Sequence, residues 1–238
     1  MHISVFEAFR TSIQKVLDNF RIFVLLGLIF GGVIIALVLA FAWINYPFLP
    51  VKQLPTVLPM RTATVFELAN FFRLMLGYTW RTWIILTISL IVSLFIYFGV
   101  WAGYIKALIR VYDTNYTPIQ TIFRNFHFAF RLGIGLLIYL LVGLLGMLLF
   151  VIPGIFWFVR FSLFSYFLID QDRGVFDSFS ASYKATKDHF WPLFCVWFLE
   201  VLALFSVHRA PLLKVFILGP LFILTFIFFY RHLTTQPS

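Results

Sequence analysis

Charge is scarce in this chain. Only 11% of its 238 residues are Asp, Glu, Lys or Arg, and the acidic ones number nine. Soluble domains carry about 25% charged residues. A globule of this size could not cover its surface with so few, so a soluble fold is excluded. One cysteine excludes a disulfide framework or a thiolate metal cluster. The five histidines, His2, His127, His189, His208 and His232, stand singly, with neither HExxH nor Cys/His spacing, so no metal site and no cofactor is expected. No catalytic constellation is visible, and the chain is not expected to be an enzyme.

What is abundant is apolar: 62% hydrophobic and 21% aromatic residues, with a mean hydropathy of +0.99. These values predict an all-α, polytopic membrane helix bundle forming one integral membrane domain over residues 1–238. A helix crosses the ~30 Å hydrocarbon core with about 20 apolar residues and satisfies every backbone group internally. Six spans are expected, at 22–44, 82–105, 132–150, 155–169, 191–207 and 212–230. The third and fourth come from one long apolar stretch, with Pro153 and Gly154 expected to make the tight hairpin turn between them. Ala40-Phe41-Ala42 resembles a signal-peptide cleavage site, but the apolar run before it exceeds the usual ~7–15 residues, so an uncleaved anchor is expected.

Basic residues set the orientation. With the N- and C-termini cytoplasmic, eleven of the eighteen Lys and Arg fall inside, six outside, and Arg160 within a span. The net charge of +9 is then accounted for by topology and by attraction to membrane lipids, especially anionic headgroups at the cytoplasmic face. No soluble basic module exists to bind nucleic acid.

An internal repeat is present. Val5-Phe6-Glu7-Ala8-Phe9 recurs as Val175-Phe176-Asp177-Ser178-Phe179, and the ungapped match goes on to pair Ser12 with Ser182, Asp18 with Asp188 and Phe20 with Phe190. Each copy is amphipathic at helical spacing. Over 3–20, Ile3, Phe6, Phe9, Ile13, Val16 and Phe20 share one face opposite Glu7, Arg10, Gln14 and Asp18. A third copy is expected from an N-cap at Thr117 followed by Pro118. The predicted architecture is three units, each an interfacial helix followed by a two-span hairpin. Such helices either anchor the bundle in the headgroup layer or bind a partner. Between the first spans, 46–59 reads as a proline-rich extended loop, and Val65-Phe66-Glu67 echoes the repeat.

Ionisable residues inside a bilayer are expensive, which singles out Arg160 and Glu200. Their expected depths agree within ~3 Å at ~1.5 Å per residue, so an ion pair between neighbouring spans is predicted, either structural or lining a pathway. Gly27-x-x-x-Gly31 and Gly99-x-x-x-Gly103 are expected to pack the first span on the second, with a homodimer seam as the alternative. Cys195 reads as a buried thiol. Asp170, Asp172 and Asp177 form an acidic group that either binds a cation or, more simply, supplies Asp172 or Asp177 to cap the following helix and complement its dipole.

Several segments resemble, in order, the signatures of an uncharacterised superfamily of six-helix bacterial membrane proteins. These are Gly103 with Lys106-Ala107-Leu108-Ile109-Arg110; Val151-Ile152-Pro153-Gly154-Ile155 with Arg160, Asp170, Gly174 and Ser182; and Gly219-Pro220 leading to Phe229-Tyr230-Arg231-His232-Leu233. Ser165 and Tyr166 stand where the family commonly has proline. The superfamily includes the membrane domain fused to some glycerophosphodiester phosphodiesterases, whose soluble catalytic domain this sequence lacks. The resemblance implies an integral bacterial inner-membrane protein. A scaffold or lipid-associated role is expected, with a small-solute transporter or channel lined by Arg160 and Glu200 as the alternative.

Overall fold

A computed structural model describes residues 4–45, 80–206 and 218–235. The expected loop at 46–59, the Val65-Phe66-Glu67 echo and the ends of the last two expected spans near 207–217 lie outside the described residues. Among the described residues the helices are α1 (Val5–Asp18), α2 (Phe20–Asn45), α3 (Trp80–Thr114), α4 (Gln120–Arg124), α5 (Ala129–Leu149), α6 (Val151–Arg160), α7 (Phe164–Asp170), α8 (Val175–Thr186), α9 (Phe190–Ser206) and α10 (Gly219–Thr235), with a 3-10 turn at Phe126–Phe128. The fold is all-α. Among the described residues, four stretches are long and apolar enough to cross a membrane: Phe20–Asn45, Thr82–Thr114, Phe126–Leu149 and Val151–Asp170; Phe190–Ala203 is a shorter apolar helix. The chain is thus a multi-pass helical membrane protein.

The chain divides into two compact units, one of residues 34–94 and one of the remainder. In the first, apolar side chains such as Trp43 and Ile91 are exposed. Among its described residues is buried Asn45, whose amide donates to the Phe41 carbonyl at 2.7 Å and to Ser89 Oγ at 3.1 Å. A side-chain amide that reaches both a carbonyl and a hydroxyl avoids the cost of an unpaired polar group in an apolar setting.

In the second unit α1 has three faces rather than two. Ala8, Ser12 and Val16 are buried, while Phe6 is 77% exposed and Ile13, Leu17 and Phe20 are also exposed. The expected single apolar face is therefore split. Small residues let helices approach closely, so they take the protein side, where Ser12 Oγ accepts from Thr225 of α10 at 3.2 Å and Phe9 meets Phe222 edge-on. Phe6, Ile13, Leu17 and Phe20 point away. The second copy repeats this: Ser178, Ser182 and Thr186 of α8 are buried, and Phe176 is 76% exposed. Positions related by the repeat, Ala8 with Ser178, Ser12 with Ser182 and Phe6 with Phe176, share the same environment. The third copy does not form one helix. It is the short α4 and the 3-10 turn, and Ile119 rather than Thr117 precedes α4.

The hairpin between the third and fourth spans turns at Phe150, whose backbone is extended (φ −152°, ψ 124°). Pro153 and Gly154, expected in the turn, lie in the first turn of α6. Proline is tolerated there because the first amides of a helix lack intrahelical acceptors. Gly154 serves close approach, since a Cβ on it would come 2.5 Å from the Met147 backbone nitrogen. Tyr139 and Trp157 join α5 to α6 by donating to the Phe158 and Tyr139 carbonyls at 2.8 and 3.0 Å.

Candidate functional site

The fourth expected span, 155–169, is not one helix. It stops at Arg160 and resumes at Phe164. No proline or glycine stands at 161–163; the cause is tertiary. Ser182 Oγ and Thr186 Oγ1 of α8 donate to the Arg160 carbonyl at 2.9 and 3.1 Å, and the Phe164 amide bonds the Phe161 carbonyl at 3.2 Å instead. Side-chain hydroxyls thus replace the broken helical bond, as interrupted membrane helices require.

The Arg160 side chain returns the contact. Its Nη1 donates to the Thr186 carbonyl at 2.5 Å. The guanidinium lies over three rings, Phe156 at 4.9 Å and Tyr183 and Phe190 each at 5.5 Å, a setting that favours a cation through the ring quadrupoles. Its Nε is buried without a hydrogen-bond partner.

Glu200 is elsewhere. The α9 stripe of Leu193 and Val196 is fully buried and Glu200 continues it at helical spacing, whereas Phe198, Leu199 and Leu202 are exposed. The ion pairs among the described residues are Lys106–Asp170, Arg131–Asp172, Arg231–Asp113 and Arg231–Asp170. The expected Arg160–Glu200 pair is not among them: the backbone of α8 and three rings hold the guanidinium. Cys195, expected to be buried, is exposed.

The glycine stripe of α3 also has a different partner from the one expected. A Cβ on Gly99 would come 2.5 Å from the Phe126 ring, and one on Gly103 would strike the Ile122 backbone. These glycines seat the α4 segment on α3. Gly27 is buried, and Gly31 has nothing within 4 Å of an added Cβ.

The densest polar constellation was not expected. Asp170, at the end of α7, accepts from Lys106 Nζ of α3 at 2.8 Å, from Arg231 Nη1 of α10 at 2.7 Å and from the Tyr230 hydroxyl at 2.9 Å. Arg231 also donates to both oxygens of Asp113, at 3.1 and 2.5 Å, and Gln171 donates to the Tyr230 hydroxyl at 3.1 Å. Two acids and two bases neutralise one another and clip the ends of α3, α7 and α10 together. Burial alone would pull the Arg231 pKa down, but the Asp113 hydrogen bond and the Asp170 and Asp113 charges hold it above its ordinary value. Asp172 pairs with Arg131 at 2.8 Å rather than capping α8, whose N-cap is Gly174. Asp177 lies in the first turn of α8, where its charge complements the helix dipole.

One signal in the sequence pointed to this clip. Lys106 and Arg231 are each the first charge after an apolar run, as Asp170 is beyond Arg160, so their helix ends fall at one level. At about 1.5 Å per residue the 35 residues of α3 far exceed the hydrocarbon core, leaving its charged end beyond the apolar layer. Comparison of the chain with protein-family models, curated proteins and solved structures finds no match.

Proposed function

We propose that this chain is a non-enzymatic inner-membrane protein of the six-helix bacterial superfamily it resembles, acting as a lipid-associated scaffold. In this reading six spans return both termini to the cytoplasm, and α1 and α8 lie in the headgroup layer among anionic lipids. The observation that carries it is the matched exposure of Phe6 and Phe176, at 77% and 76%, on repeat-related positions whose opposite faces are buried. Large apolar side chains held outward beside Arg10, Lys184 and Lys187, which are exposed, suit insertion at an acyl–headgroup boundary. The test is photo-crosslinking from residues 6 and 176 in native membranes. Lipid adducts at both positions are expected; adducts to protein alone would refute the lipid-facing assignment.

A second reading, a small-solute transporter, draws on the interruption at 161–163, because discontinuous helices build many transport sites. Flux into proteoliposomes that falls in Arg160→Ala or Glu200→Ala would favour it; unchanged flux would remove both residues from any pathway.

A further inference from the structure

Among the described residues, Arg160 is a cation held in place without an acidic partner. Among the described residues, its guanidinium makes one hydrogen bond, to the Thr186 carbonyl, its Nε is buried without an acceptor, and no ion pair includes it. Lys184 and Lys187 adjoin Tyr183 and Thr186 in the chain and are exposed, with Asp188 opposing them. Two lysines against one aspartate leave the end of α8 that holds Arg160 with a net positive charge. Of its three covering rings, Tyr183 and Phe156 are 45% and 41% exposed. Phe156 stacks on Phe190 at 5.4 Å and Tyr183 on Phe161 at 6.0 Å, so Tyr183, the more exposed and the more loosely stacked, is the ring whose displacement would uncover the guanidinium edge. That edge presents parallel N–H donors spaced for two oxygens of one tetrahedral anion.

We propose that Arg160 is a binding site for a single phosphate group, of the class carried by anionic membrane lipids, with Tyr183 as its movable cover. The phosphate accepts from Nε and a terminal nitrogen while Thr186 keeps Nη1 oriented. The proposal rests on the lipid-associated reading for the source of the phosphate, which the crosslinks at residues 6 and 176 test separately.

Native mass spectrometry of the full chain in detergent, titrated with short-chain phosphatidylglycerol or with inorganic phosphate, decides it. One phosphatidylglycerol adduct is expected, weakened about tenfold or more in Arg160→Gln, the scale of a lost charge-assisted hydrogen bond. Arg160→Lys, which keeps the charge without the fork, should fall between. Competition by inorganic phosphate would identify a site for the phosphate itself; no competition would identify a lipid site. Wild-type affinity in Arg160→Gln, or no adduct with either probe, overturns the proposal. Should Arg160→Gln fail to fold, Tyr183→Ala decides: uncovering the guanidinium should tighten binding, and unchanged binding overturns the proposal.

Discussion

Replacing Asp170 by Asn tests the clip most directly. Three donors converge on this carboxylate, from Lys106 at 2.8 Å, Arg231 at 2.7 Å and Tyr230 at 2.9 Å. Removing one partner of a buried ion pair costs about 3–5 kcal/mol because the other charge is stranded. Here the side chains of Lys106 and Arg231 keep 21% and 29% exposure, so water recovers part of the loss, and Arg231 retains Asp113. An expected cost of about 2–3 kcal/mol follows from discounting the buried value for that exposure. Asp172→Asn is the matched control: its pair with Arg131 is 49% and 67% exposed, and its loss should cost under ~1 kcal/mol. Unfolding in mixed micelles by titration with dodecyl sulfate, followed by helical circular dichroism, measures both. The reasoning fails if Asp170→Asn lies within ~0.5 kcal/mol of its control, the range of ordinary surface substitutions.

Other substitutions probe the remaining assignments. Arg160→Leu and Glu200→Leu should be additive within ~0.5 kcal/mol in a double-mutant cycle, as for sites without shared contacts; a coupling above ~1 kcal/mol would restore the pair. Gly103→Ala forces a Cβ into the Ile122 backbone and should cost about 1–3 kcal/mol by overpacking. Gly31→Ala meets nothing within 4 Å and should be neutral or stabilise by up to ~1 kcal/mol through helix propensity; equal effects at the two glycines would refute the assigned packing. Phe6→Ser and Phe176→Ser remove exposed rings and should leave stability in detergent within ~0.5 kcal/mol while reducing lipid crosslinks from neighbouring positions; a large loss of stability would show that the rings pack against protein.

Helix class, membrane residence and the repeat were legible in the sequence because they depend on local composition and period. Apolar runs require helices in lipid, and the offset between Phe6 and Phe176 could be counted. The apolar face read on α1 was split, because Phe6, Ile13 and Phe20 are exposed while Val16 is buried beside Ala8 and Ser12, whose small side chains permit a closer helix contact than the period alone reveals. Likewise Pro153 announced a break in the apolar stretch, but whether it stands in the turn or just inside the next helix depends on one extended residue, Phe150.

What the sequence by itself determined is therefore the material: an all-α membrane chain with scarce charge placed at the ends of apolar runs. Only the tertiary structure decided the partners. Asp170 meets Lys106 and Arg231 across sequence separations of about sixty residues. Arg160 is held by the α8 backbone instead of Glu200, and the α3 glycines receive Ile122 and Phe126 instead of α2. Periodicity places a side chain on a face of its own helix. Which helix fills the space opposite is settled by the joint packing of all of them.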